Sequence, residues 1–596
     1  MDWLGDVLAI LVVATILASL VAVRRLSRPS HRWGDVLRSR LLFGVPWGTL
    51  VSIGFVLVIY LFVQDGITNF NRPVVKPFRA YSFFYPLGML TAPFAHASAS
   101  HLTGNLIGTL VIAPIAEYAW GHYPNERGSE SFARWWTNPI LRAFVIFPLA
   151  VIGIGVLTSL FALGPVIGFS GVVFAFAGFA IVRYPVVTVI AAIGVQGTVS
   201  RIYSALELPI GVYVAQPRPP SPPSWATIAI QGHALGFFLG FLLAIFVFRH
   251  RNYRPNPLYL WLAVLVYGFS KSLWAVYWFG GANEYILFQG PGVIAVTALA
   301  LVATVAVVGS QRSIVPAWIE HRLSRPTVET FGRPLSRTLE TMQSRATALD
   351  AARIRALVQR PKAKLPTAIT ETSHQWSAFV VVLVVVALIT GPAIPVNLFV
   401  VGDGMTDNEA SVTVEGYTIE YAEGVQNPMA SVVDLEAFDP EAVQSSGVIV
   451  SNPDRQLWTE AVSAQRLAFS GSQTIIVGGP GWRETVRAER QGWTPVGNDT
   501  VYQVWLDTGS ERTHAFASDP STANAQIAGQ NMTIVADDGE FILEVHGNDT
   551  ETATVSIPEH NESVTANGLE FVRVDDELYV HVDDTIVQIA SKESYN

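Results

Sequence analysis

The sequence predicts a mainly α fold, a polytopic membrane helical bundle, followed by a soluble β-rich C-terminal domain. Half of the 596 residues are hydrophobic and only 14% are charged, well below the roughly 25% of ordinary soluble proteins. Long apolar runs recur through the first 400 residues. After residue 401 the pattern changes to short alternating runs separated by Gly, Asn and Asp. Ten runs approach or reach the length that crosses a bilayer, about 17–25 residues: 3–23, 42–64, 102–120, 139–163, 168–182, 184–200, 226–249, 257–279, 285–309 and 376–400. The runs at 168–182 and 184–200 are the short ones.

The first run, Trp3 to Val23, lacks a positive leader and a small-residue cleavage site, so it reads as a retained anchor helix. Arg24, Arg25, Arg28, Arg32, Arg38 and Arg40 follow it. Basic loops stay inside, which puts the N-terminus outside. Threading onward places Arg249, Arg251 and Arg254 inside, together with the linker 310–375, which holds 11 basic and 5 acidic residues and a helical stretch from Thr338 to Gln359. The C-terminal tail then emerges outside. All four Asn-x-Ser/Thr sequons, at Asn498, Asn531, Asn548 and Asn561, fall in that tail, where external glycosylation could reach them.

Charge is segregated in the same way. Residues 1–400 carry 30 basic and 14 acidic side chains, and residues 401–596 carry 8 basic and 33 acidic. So acidic a tail argues against nucleic-acid binding and suits a high-salt setting. Runs such as Phe541 to Val545 and Leu578 to Val582, bounded by turn residues, read as strands of an external domain. Cysteine is absent from the sequence, which excludes disulfides, thiol catalysis and cysteine metal sites.

Within the apolar part, Gly168-Phe169-Ser170-Gly171 and Gly232-His233-Ala234-Leu235-Gly236 stand out, because polar reactive groups inside a bilayer are costly and usually functional. A hydroxyl and an imidazole on facing helices suffice for nucleophilic catalysis, the base taking the hydroxyl proton as the bond forms. Before the third run lies Ala95-His96-Ala97-Ser98-Ala99-Ser100-His101-Leu102-Thr103-Gly104-Asn105. On a helix, His101 and Asn105 lie about 40° apart, whereas His96 and His101 lie about 140° apart. His101 and Asn105 can therefore act together, and His96 is expected to stand aside as a hydrogen-bonded interfacial histidine. Asn105, Ser170 and His233 all fall at a similar depth below the outer surface.

Two small-residue stripes, Gly171, Ala175, Gly178 and Gly236, Gly240, Ala244, would let the two helices pack closely in lipid. Phe174, one turn after Ser170, is placed to pack on the His233 ring. Glu117, near the far end of its run, reads as a buried structural hydrogen-bond partner.

The ordered set His-x-x-x-Asn, Gly-x-Ser-Gly and Gly-His-x-x-Gly-x-x-x-Gly on three hydrophobic runs resembles the rhomboid family of intramembrane serine proteases. The resemblance covers about residues 42–250. It implies a six-helix core in which Ser170 is the nucleophile and His233 the general base. His101 and Asn105, with the Ser170 backbone N–H, would form an oxyanion hole, supported by Gly168, Phe174, Gly236 and Gly240. Many members carry a Trp-Arg pair in the loop before the histidines where this chain has Leu87-Gly88, and many have Tyr at the position of Phe174.

The chain then divides into an extra helix and basic loop (1–41), the core (42–250), two added helices (251–309), a basic cytoplasmic linker (310–375), a final helix (376–400) and the acidic external domain (401–596). The expected activity is that of a multi-pass, cell-membrane endopeptidase cutting transmembrane segments of membrane proteins within the lipid bilayer. No cofactor, metal or nucleic acid is expected. The rivals are an inactive membrane-protein escort and a transporter. Neither a His-Glu-x-x-His zinc motif nor an intramembrane aspartate pair is present in the sequence.

Overall fold

The computed structural model describes residues 2–26, 33–123, 134–211, 216–281, 284–310, 373–401, 410–426, 428, 444–547 and 552–596. The expected helical stretch Thr338 to Gln359, most of the linker around it and Asn548 lie outside these residues.

Among them are helices at all ten apolar runs. α1 is Asp2–Leu26 and α2 the short Trp33–Arg40. α3 begins at Trp47 and ends in a wider π turn, Ile59–Val63. It starts later than its apolar run because Phe43 adopts a left-handed backbone (φ 57°). After the small helix α4 (Pro86–Thr91) come α5 (Ala99–Trp120), α6 (Pro139–Leu160), α7 (Ser170–Arg183), α8 (Pro185–Glu207) and α9 (Ile230–His250). α10 (Pro257–Ser270), α11 (Gln289–Val308) and α12 (His374–Val396) complete the set. α7 is only 14 residues long but is the most enclosed, with every residue from Gly171 to Val182 buried. A helix apolar on all sides and surrounded by others forms the centre of a bundle.

One element departs from the sequence expectation. The run 257–279 is helical only to Ser270, and Tyr277–Gly281 and Glu284–Leu287 form an antiparallel hairpin, β1 and β2. Aromatic and β-branched residues there satisfy the hydropathy of a helix and the preferences of a strand equally. Gly292, in the first turn of α11, allows that turn to approach Trp274, whose carbonyl oxygen lies 1.7 Å from where a Cβ would stand.

Among its described residues the C-terminal region is β apart from the short helix Ala464–Ser470, the 3₁₀ turn Pro453–Arg455 and the helical Pro428. β3 (Val412–Val414), β4 (Tyr417–Gln426), β5 (Gln444–Asn452) and β6 (Leu457–Ser463) form one antiparallel sheet. A larger sheet brings together segments between Ser472 and Ala517 with segments between Ser563 and Lys592, joined where Ala590 to Lys592 pair with Trp493 to Pro495. A third sheet lies between Ser521 and Ser556. Asn498, Asn531 and Asn561 are all exposed.

This domain is joined to the bundle through the loop between α3 and α5. Lys76 Nζ donates to the Ile476 carbonyl at 3.0 Å, Ser82 Oγ to the Phe399 carbonyl at 2.6 Å, and Tyr81 is buried in the β-domain core. The last membrane helix reaches the same place. Asn397 Nδ2 donates to the Leu160 and Ala162 carbonyls at 3.0 and 3.1 Å, and its own carbonyl accepts from Phe83 N at 2.7 Å.

Candidate active site

α7 and α9 approach as the small-residue stripes require. A Cβ on Gly236 would lie 2.0 Å from the Gly171 carbonyl oxygen, one on Gly240 1.9 Å from that of Ala175, and one on Gly178 2.1 Å from that of Phe237. Only glycine permits such contact, and the contact sets the distance between the two helices. At that distance His233 Nε2 and Ser170 Oγ are 2.7 Å apart, a length proper to a hydrogen bond between a hydroxyl and an imidazole. Phe174 lies flat on the imidazole, with ring centroids 4.2 Å apart and planes 13° off parallel. Tyr267 of α10 meets Phe174 edge-on at 5.6 Å. A helix following the expected six-helix core thus backs the ring stack.

The chain enters α7 through Gly168, whose φ of +122° is one that L side chains rarely adopt. A Cβ there would also stand 2.7 Å from His101 Nε2 and 3.5 Å from Asn105 Nδ2. Gly168 therefore serves backbone conformation and close approach at once. It brings the first turn of α7 against His101 and Asn105 on α5. Ser98 caps α5, its hydroxyl accepting from His101 N at 3.2 Å, and so fixes the turn that carries both residues.

His96 requires a correction. His96 and His101 do not share one continuous helix, because α5 starts at Ala99, so the angle of about 140° between them does not hold. His96 lies in the preceding loop, its ring 5.1 Å from that of His101, and its Nε2 accepts from Phe169 N at 3.5 Å. Gln64, at the end of α3, holds it there: Gln64 Oε1 accepts from His96 N at 2.7 Å and Nε2 donates to the His96 carbonyl at 2.8 Å. Gln64 carried no motif in the sequence. Its only signal is an amide at the polar end of an apolar run.

The site is rich in polar atoms without partners. Asn105 Nδ2, His233 Nδ1 and His96 Nδ1 are buried and make no hydrogen bond. Buried polar groups are normally satisfied by protein, water or ligand, and Asn105 Nδ2 is a donor left open beside the Gly168 turn. Val172 N and Val173 N donate to the Phe169 carbonyl at 3.1 Å, the N–H groups of Ser170 and Gly171 precede any acceptor of the helix, and a helix N-terminus favours negative charge. Donors and dipole converge beside Ser170.

Two further polar residues escaped the sequence reading. Gln231, just before the Gly-His motif, accepts from Leu163 N at 3.1 Å and donates to the Phe161 and Ile389 carbonyls at 2.7 and 2.8 Å. It ties α9 to the end of α6 and to α12. Lys271, just past α10, donates to Gln196 Oε1 at 2.9 Å, and Gln196 lies against Gly108 of α5. Leu87 and Gly88 lie in α4, where a Cβ on Gly88 would stand 2.3 Å from the Arg79 carbonyl oxygen. Close backbone packing thus occupies the position of the Trp-Arg pair.

The Rhomboid domain family model matches residues 85–250, the stretch that carries α4 to α9 and with them His101, Asn105, Ser170 and His233. None of the curated proteins and none of the solved structures matches the chain. The match and the helix architecture together describe a polytopic helical membrane protein that carries a Rhomboid domain at residues 85–250 and a C-terminal β domain.

Proposed function

We propose that the chain is an intramembrane serine endopeptidase that cuts membrane proteins in or near their transmembrane segments with a Ser170–His233 dyad. The observation that carries this reading is the 2.7 Å contact between Ser170 Oγ and His233 Nε2 at the N-terminus of a buried helix. Rhomboid-family proteins are usually intramembrane serine proteases, which supports the same reading.

In the proposed reaction Ser170 Oγ attacks the scissile carbonyl carbon while its proton passes to His233 Nε2. The carbonyl oxygen becomes an oxyanion, which His101, Asn105 Nδ2 and the Ser170 N–H stabilise with the helix dipole. Collapse of the intermediate breaks the C–N bond, and His233 returns the proton to the leaving amine. Water, deprotonated by His233, then cleaves the Ser170 ester and restores the hydroxyl. Phe174 holds the imidazole in plane, a task that a carboxylate performs in a triad.

A helical substrate shields its peptide bonds, so it must unwind locally before attack. An apolar cleft of about 460 Å³ opens between α5 and α8, lined by Leu110, Val111, Ile115, Val187 and Ile190. The testing experiment expresses the full chain with tagged single-span substrates, beside Ser170→Ala and His233→Ala. Fragments from the parent alone support the dyad, and equal fragments from all three overturn it. Binding without any cleavage would point to an escort.

A further inference from the structure

At the end of the bundle away from Ser170, four arginines gather around the last turn of α5. Arg251 Nη1 and Nη2 donate to the Ala119 and Trp120 carbonyls at 3.0 and 2.6 Å, and Arg40 Nη2 donates to the same two at 2.9 and 3.3 Å. Arg142 Nε and Nη2 both donate to the Gly121 carbonyl, at 3.1 and 2.8 Å. Arg183, at the end of α7, lies over the Tyr253 ring at 4.0 Å.

Capping a helix end does not account for this much charge. The carbonyls of a helix C-terminus amount to about half a negative charge, against three full positive charges that bind them and a fourth beside them. Among the described residues none of the four has a carboxylate within ion-pair distance. Glu117, on the same turn, is committed to His122, Gly48 and Thr49. Burial, with Arg40 and Arg183 nearby, pulls the Arg251 guanidinium down to about 10. Each guanidinium has five N–H donors, and Arg251 spends two on carbonyls, leaving the others for a ligand.

Depth identifies the ligand. Arg40, Arg183 and Arg251 are partly exposed, Arg142 is buried, and Trp120, Tyr184 and Tyr253 lie among them. Aromatic residues beside helix-end arginines mark the headgroup level of a bilayer, and basic pockets between membrane helices suit phosphate headgroups. We propose that this bowl, formed by Arg40, Arg142, Arg183 and Arg251, binds the phosphate of an anionic phospholipid in the leaflet at that end. The lipid would join the ends of α5, α7 and α9 through one shared anion, independently of whether Ser170 cleaves peptides.

Native mass spectrometry of the full chain tests this, with phosphatidylglycerol, phosphatidylcholine and inorganic phosphate as probes. The expected result is one retained phosphatidylglycerol per chain, at least tenfold preferred over phosphatidylcholine and not displaced by millimolar phosphate. Arg251→Gln should lose that retention more than tenfold. Arg183→Gln, which leaves every α5 carbonyl contact in place, should weaken it several-fold and keeps the test valid should Arg251→Gln fail to fold. Equal retention of the two lipids, unchanged retention in Arg183→Gln, or displacement by inorganic phosphate would each overturn the proposal.

Discussion

The two ends of α5 are built to opposite rules. In its last turn Glu117 is wholly buried, with Oε1 accepting from Gly48 N at 2.7 Å and Oε2 from Thr49 N and Thr49 Oγ1 at 2.8 and 2.7 Å. His122 Nε2 lies 2.6 Å from Glu117 Oε1, and His122 Nδ1 accepts from Leu42 N at 2.8 Å. Every polar atom of that pair has a partner, and the carboxylate caps the start of α3. In the first turns of the same helix, Asn105 Nδ2 is buried without one. A polar network in low dielectric stabilises only when fully satisfied. One end therefore holds the helices together, and the other keeps its donors unspent for a reacting group.

The largest effect should come from the unsatisfied end. Ser170→Ala or His233→Ala should lower cleavage by roughly 10³-fold or more with little change in thermal stability, read by fragment yield and labelling with a fluorophosphonate reagent. Loss of folding instead would erase the contrast between the ends. Glu117→Ala should do the reverse. It leaves His122 and two backbone donors buried without an acceptor and should cost about 3–5 kcal/mol, read as unfolding at lower denaturant, while protein that does fold still labels at Ser170.

Gly236→Ala joins the two tests, because a methyl cannot occupy a point 2.0 Å from the Gly171 carbonyl oxygen. The helices must part, at a cost of about 1–3 kcal/mol, and labelling should fall as the Ser170–His233 contact opens. Phe174→Leu keeps apolar volume but removes the flat ring, and cleavage should fall about tenfold without a matching loss of stability.

The smallest effect concerns Lys76, outside the membrane helices in the 3₁₀ turn Lys76–Phe78. Burial, with Arg79 nearby, pulls its amine from the usual 10.5 down to about 8. Between those values the unfolded chain binds more protons than the folded one, so stability rises as pH increases from about 8 to about 10.5. A gain of about 2 °C in Tm is expected, and Lys76→Met should flatten it.

The parts legible in the sequence are those in which a single residue type answers to one physical demand. Apolar runs long enough to cross a bilayer need helices in lipid, and ten helices stand at those runs. Glycines four apart announced the approach of α7 to α9, and the spacing of Phe174 from Ser170 led to the ring on His233. Glu117 was readable as a structural acid because a lone carboxylate in an apolar helix must find donors. What escaped depends on the neighbours that the fold supplies. His96 was misplaced because the start of α5 is set by the Ser98 cap, not by the periodicity of the run. Gln64, Gln231 and Gln196 have no motif, since an amide serves wherever a carbonyl is left over. The hairpin at 277–287 hid inside hydropathy that does not distinguish helix from strand.

Asn397 joins parts of the chain more than 230 positions apart, gripping Leu160 and Ala162 with its amide while Phe83 binds its carbonyl. Ile389 is clasped by Gln231, and Val307 accepts from Gln375. The polypeptide is in effect a buckled belt, with the final helix as its tongue. Chain expressed as two pieces, divided between Val308 and His374, should keep these contacts, so the two halves should purify as one particle.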